Sequence, residues 1–145
     1  MLSSTVSNKI LKSLVGKDST YGSTIFVGLS STEPNTDGSG ITEPTGNGYQ
    51  RVLIGASNQS LTQKFGDPVD GVITNNADIY FPESSGSWGD ALTHFFFATS
   101  QDGTATNDIL AFDELQEDGV ASPVNVTTDK TVVMFRKGQL RIKFQ

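Results

Sequence analysis

Lys130-Thr-Val-Val-Met-Phe-Arg136 and Gln139-Leu-Arg-Ile-Lys-Phe144 flank Lys137-Gly138, and the reading of this stretch decides the fold class. Leu140, Ile142 and Phe144 alternate with Arg141 and Lys143, the period-2 pattern of a strand with one buried and one wet face. A Gly-containing dipeptide between two such runs predicts a tight hairpin. Working back along the chain, the same alternation and turn punctuation predict strands over 108–113, 92–98, 49–54 and 24–30. A further strand covers 72–74 and 77–81, broken or bulged at Asn75-Asn76. About seven strands joined by polar turns predict a mainly β chain, an antiparallel β-sandwich. One helix is expected, from Ser3 to Val15. Val6, Ile10 and Leu14 fall at i, i+4 and i+8 with Leu11 beside them, Ser3 or Ser4 caps the start, and Gly16 ends it.

The composition agrees. The chain has 145 residues, 35% of them hydrophobic, only 18% charged, and 15 glycines, a balance that favours short strands over a helical bundle. That length suits one hydrophobic core, so a single domain over 1–145 is expected, with the helix within 1–17 and the sandwich over 21–145. Long loops are read at 31–47 and 57–71, as binding elements or as arms that order on a neighbour. A net charge of −6 argues against nucleic acid as a partner. With no cysteine, disulfides, thiolate metal sites and a cysteine nucleophile are excluded. No apolar run is long enough to span a bilayer and no secretory apolar segment opens the chain, so a soluble, unprocessed protein without a membrane partner is expected.

Little in the sequence points to catalysis. His94 is the one histidine, and a triad or general base of the usual kind would run through it. It lies in the apolar run Leu92 to Phe97 with no nucleophile-elbow pattern, so it reads as a hydrogen-bonded packing residue. Asp37, Asp67, Asp70, Asp102, Asp108, Glu117 and Asp118 sit near glycines, yet none has the spacing of a calcium loop, and they read as turn formers and solubilising charge. The glycines of Gly38-Ser-Gly40 and Gly46-Asn-Gly48 do not link a strand to a helix as phosphate-cradling loops do. Trp88 has two readings, a sugar-stacking platform and a core anchor. The core anchor is favoured, because large aromatics dominate the burial energy of small domains. No cofactor and no metal are expected.

The order of several blocks resembles a family of small tailed-phage virion proteins, described as tail-fibre-like or head-decoration proteins. The blocks are a short N-terminal helix, Ile25-Phe-Val-Gly-Leu-Ser30, Thr32-Glu-Pro34, Asp37-Gly-Ser-Gly40, Glu43-Pro44, Gly48-Tyr49-Gln-Arg51-Val52 and Ile79-Tyr-Phe-Pro82. Trp88-Gly-Asp-Ala-Leu-Thr-His-Phe95 is the most specific of them, followed by Ile109-Leu-Ala-Phe112 and Val132 to Phe144. The chain departs from the pattern by a residue between Gly89 and Thr93, at Phe96-Phe97, and over Glu114 to Val126. The resemblance implies no catalytic residues. It carries over Tyr49, Arg51, Trp88, Thr93, His94 and Phe95 as signature positions of structural character, with Arg51 expected to pair with a loop carboxylate and the Tyr49 hydroxyl to need a partner if buried.

The function expected is that of a non-enzymatic structural protein of a tailed bacteriophage, assembled in the bacterial host cytoplasm and carried in the virion. Its expected partners are major capsid or tail proteins and further copies in a homo-oligomer or symmetric array, with the helix and the basic terminal hairpin as docking features. Head decoration is preferred to a tail location, since the chain is short and lacks a repetitive shaft. The alternative is a receptor- or glycan-binding module at a fibre tip, using Trp88 and the 31–47 loop.

Overall fold

The computed structural model describes residues 4–17, 24–56 and 63–143. Helix α1 (Ser4–Leu14) is followed by β1 (Thr24–Ser30), β2 (Val52–Ala56), β3 (Val72–Thr74), β4 (Ile79–Tyr80) and β5 (His94–Ala98). Then come a 3-10 turn, Thr106–Asp108, and β6 (Ile109–Glu114), β7 (Gln116–Glu117), β8 (Val120–Ala121), β9 (Met134–Phe135) and β10 (Arg141–Lys143). The class is mainly β with one short helix, and every ladder is antiparallel.

The first layer is a four-stranded sheet in the order β2-β1-β5-β6. On β1 the alternating Ile25, Val27 and Leu29 are fully buried, each such side chain contributing about 1.5–3 kcal/mol relative to exposure. Register places Val27 opposite Phe97 and Leu29 opposite Phe95, so these rings share the inner face. Gly28 faces Phe96 on the other side, where a Cβ would overlap the Phe96 ring. The missing side chain is therefore what lets that ring lie across the strand.

The second layer is a long interrupted ribbon in which residues 72–92 run antiparallel to 124–143. Its rungs include Ile73 with Ile142, Ile79 with Phe135, Ser85 with Asp129 and Leu92 with Val124. Phe65 bridges to Asn75, and the Lys64 amide donates to the Ile54 carbonyl at 2.9 Å, so residues 63–66 stitch β2 to β3 and join the layers at one side. A single apolar cluster lies between them, drawing Ile25, Leu29 and Ile54 from the sheet and Ile73, Phe81, Leu92 and Phe135 from the ribbon.

Helix α1 closes one end of this cluster. Leu11 and Val15 are fully buried, whereas Ile10 and Leu14 are half-buried, so the stripe facing the core lies beside the expected Ile10–Leu14 line. The Val6 side chain of that expected line, like the Ser3 cap, lies outside the described residues. Gly16 ends the helix at φ +78, as a C-terminal glycine does. It also lies against Gly55 of β2, where a Cβ on either glycine would strike the other segment's backbone. The helix is thus packed on its own chain.

The expected hairpin between 130–136 and 139–144 does not form. The turn is present, with the Gln139 amide donating to Arg136 O at 2.9 Å, but only Gly138 takes a positive φ, as in a type II turn. Type II turns do not match the twist of a hairpin, and β9 and β10 separate to pair with β4 and β3. Asn75 occupies the fork. Buried to 1% exposure, its Nδ2 donates to Arg136 O (2.8 Å) and Ala77 O (3.0 Å), while its Oδ1 accepts from the Leu140 amide (2.9 Å). The strand expected over 130–136 shrinks to Met134–Phe135, because Lys130 adopts φ +58 and the Ser84 hydroxyl accepts from the Thr131 amide in place of a ladder carbonyl.

Neither long loop is an open arm where it is described. The 31–47 loop is bonded to itself: Ser31 N to Thr42 O at 2.9 Å, Thr32 Oγ1 to Gly40 O at 2.6 Å, Asn35 N to Ser39 O at 2.8 Å. Of the loop read over 57–71, residues 57–62 lie outside the described residues, Phe65 is in the core, and Asp70-Gly71 forms a two-residue turn with both φ positive that pairs Val69 with Val72.

Candidate functional site

The strongest polar constellation joins Glu43, Tyr49 and Arg51. β2 starts at Val52, opposite Val27, so the Leu29 amide lies beyond the ladder. The Tyr49 hydroxyl accepts that amide at 2.9 Å and donates to Glu43 Oε1 at 2.7 Å. Arg51 donates to both oxygens of the same carboxylate, Nε at 2.9 Å and Nη2 at 2.7 Å, and its Nη1 reaches Ser100 O at 3.0 Å. With Arg51 only 3% exposed, this is a bidentate pair largely shielded from water. Its Cζ lies 5.0 Å from the centroid of the Phe96 ring, which the guanidinium covers. Burial disfavours the Arg51 charge, yet the bonds and charge of Glu43 outweigh it and hold the guanidinium above its ordinary pKa. Burial and the Glu43 carboxylate push the Tyr49 phenol far upward, so it stays neutral and able to donate.

Trp88 is 5% exposed, its Nε1 donates to Asn47 O at 3.0 Å, and its ring meets Tyr49 edge-on at 5.3 Å. A ring so placed is a core anchor, and it has no open face on which a sugar would stack. From Trp88 an unbroken path of rings crosses the molecule: Tyr49, Phe81, Phe135, Phe95, Phe97 and Phe65, with successive centroids 5.3–6.3 Å apart. Three signature positions, Tyr49, Trp88 and Phe95, belong to that path.

Thr93 and His94 stand at the start of β5. The Thr93 hydroxyl lies 2.8 Å from His94 Nδ1, and His94 is half-buried between Ser30 and Glu114 in the ladder. Among the described residues no carboxylate oxygen lies within 4.0 Å of the imidazole, and no group of three acids or histidines is set to hold a metal. Several of the loop acids have local partners. Asp67 lies 3.8 Å from Lys17 and 4.0 Å from Lys12, an exposed pairing of small energetic weight. The Ser39 hydroxyl and amide hold the Asp37 carboxyl below its usual range. Asp70 and Asp118 take positive φ in turns.

On the surface a cleft of about 940 Å³ opens between the β6–β8 stretch and residues 132–141. Asp113, Glu114, Glu117 and Asp118 line one side; Arg136, Lys137 and Arg141 line the other. Leu29 and Phe95 also reach it from the core. The sequence marked the basic side, as part of the terminal hairpin expected to dock, but not the acidic side set against it.

The family model described as Gp80, podophage GP4 fiber I protein gp80, matches residues 1–141. The chain belongs to this family. No curated protein matches it. Membership places it among the structural proteins of phage virions, in agreement with the resemblance at that level. Within a Gp80-family chain, the signature residues are brought together in two places: Tyr49, Arg51 and Trp88 around the 43–51 segment, and Thr93, His94 and Phe95 along the start of β5. Sequence reasoning missed Glu43 as the specific partner of Arg51 and Asn75 as the fork of the ribbon. The one available signal for the first was that Glu43 stands eight residues before Arg51, within a loop rich in turn residues.

Proposed function

We propose that this chain is a non-enzymatic structural component of a phage fibre, folding as one domain in the host cytoplasm and acting through contact with other virion proteins and with copies of itself. Tyr49, Arg51, Trp88, Thr93, His94 and Phe95 serve the fold in this reading. The observation that carries it, beside the family match, is that the polar groups of Tyr49, Arg51 and Trp88 all bond within the chain, where they hold the fold together. The family description supports a fibre location over placement on the head. Helix α1 is a weaker docking element than its amphipathic pattern implies, because Leu11 and Val15 are spent on the chain's own core.

Virions labelled with antibody against the purified chain test this. Label along the fibres is expected. Label confined to the head shell would overturn the fibre placement, and unlabelled virions would overturn the structural role.

A further inference from the structure

We infer that the cleft between β6 and residues 132–141 is the docking surface for a second copy of this chain, with the acidic side of one copy set against the basic side of the next. The inference rests on the fibre reading and adds to it the surface through which copies meet. Three observations converge there. β6 is the outer strand of the four-stranded sheet, so one of its backbone edges has no ladder partner among the described residues, and its last residues, Asp113 and Glu114, open onto the cleft. Such an edge is a template for pairing unless it is covered. The two sides of the cleft carry opposite charge, yet among the described residues no ion pair within 4.0 Å joins them. Apolar surface adjoins the charges, with Val132 at 48% exposure in the lining and Val120 at 67% on β8.

The charge arrangement selects the occupant. A partner of one sign, such as nucleic acid or a uniformly acidic protein, gains on one side and is repelled by the other. A copy of this chain carries both signs at the same separation. Rotating it about a two-fold axis along the cleft sets acid over base on both sides, and a head-to-tail succession of copies does the same once per contact.

The test is the mass of the full chain in solution by light scattering, at low salt and at concentrations typical of assembly. The wild-type chain is expected to be oligomeric. Glu114→Lys with Glu117→Lys, or Arg136→Glu with Arg141→Glu, places like charges opposite each other and is expected to raise the self-dissociation constant at least about tenfold. Combining all four reversals, or mixing the two reversed variants in equal amounts, restores complementarity and the oligomer. A monomeric wild type overturns the inference, as does an oligomer indifferent to either reversal. Failure of both restorations, with circular dichroism unchanged, also overturns it. Fibre labelling of virions is independent of all these outcomes, so loss of the inference leaves the fibre reading standing.

Discussion

Arg51 shows how much one residue can be asked to do in a small domain. Its guanidinium covers Phe96, ties the end of the 31–47 loop to the sheet through Glu43, and reaches Ser100 on the next loop. Removing one partner of a shielded pair leaves the other charge uncompensated, so Glu43→Ala is expected to destabilise the fold by about 3 kcal/mol in urea unfolding. Tyr49 gives a second, pH-dependent expectation. Its folded pKa is raised, chiefly by burial and then by the Glu43 carboxylate, while in the unfolded chain the phenol ionises near its ordinary value of about 10. The unfolded state therefore binds fewer protons above that pH. The contribution of Tyr49 is intact below pH ~10 and is lost as pH rises beyond it. Phenolate absorbance at high pH should show one ionisation step that coincides with unfolding and is missing in Tyr49→Phe. The need of Arg51 and Tyr49 for partners was legible in the sequence. The identity of the partner was not, since Glu33, Asp37 and Glu43 all lie in the same loop and only its internal bonds decide which carboxylate turns inward.

At the scale of elements, alternation located the strands well wherever one face is buried. Thr24 to Ser30 is a strand over the expected span, and the break expected at Asn75-Asn76 is real. Pairing was harder to read, because it depends on turn type, which one glycine does not fix. Lys137-Gly138 resembles a hairpin turn by composition but has a single positive φ, whereas Asp70-Gly71 and Asp118-Gly119 each have two and do form hairpins. Those Asp-Gly pairs are the stronger hairpin signal, masked in the first case by a surrounding polar stretch and in the second by strands of only two residues. Asn75 maintains the forked arrangement. Its replacement by Ala takes the Asn75 bond from the Ala77 carbonyl and the Leu140 amide and leaves the Arg136 carbonyl with the Gln139 amide alone, at about 1–3 kcal/mol for each group that stays buried and unpaired. We expect Asn75→Ala to lower stability by about 3 kcal/mol or more, and native-state hydrogen exchange to show the Leu140 amide losing protection before the β1 amides do. Equal loss of protection at both sites would mean that Asn75 does not hold the fork.

For the whole molecule, the path of rings from Trp88 to Phe65 spans both layers, so neither layer keeps its packing if the other opens. Unfolding followed by Trp88 fluorescence and by far-ultraviolet circular dichroism should give coincident transitions. Two separated transitions would show that sheet and ribbon are independent units. The β class and the core aromatics were visible in sequence because burial leaves a periodic trace. The cleft left none. Its two sides come from segments about twenty residues apart: the basic one belongs to the terminal hairpin expected as a docking feature, the acidic one reads alone as turn formers and solubilising charge, and no pattern in the sequence sets them face to face. In the proposed reading the chain is a fibre subunit whose cleft is filled by a neighbouring copy. A reconstruction of the intact virion at side-chain resolution tests it most directly. We predict this chain in the fibres, with the acidic residues of β6 and β7 against Arg136 and Arg141 of an adjacent copy. A chain absent from the fibres, or a cleft facing solvent in every copy, would contradict it.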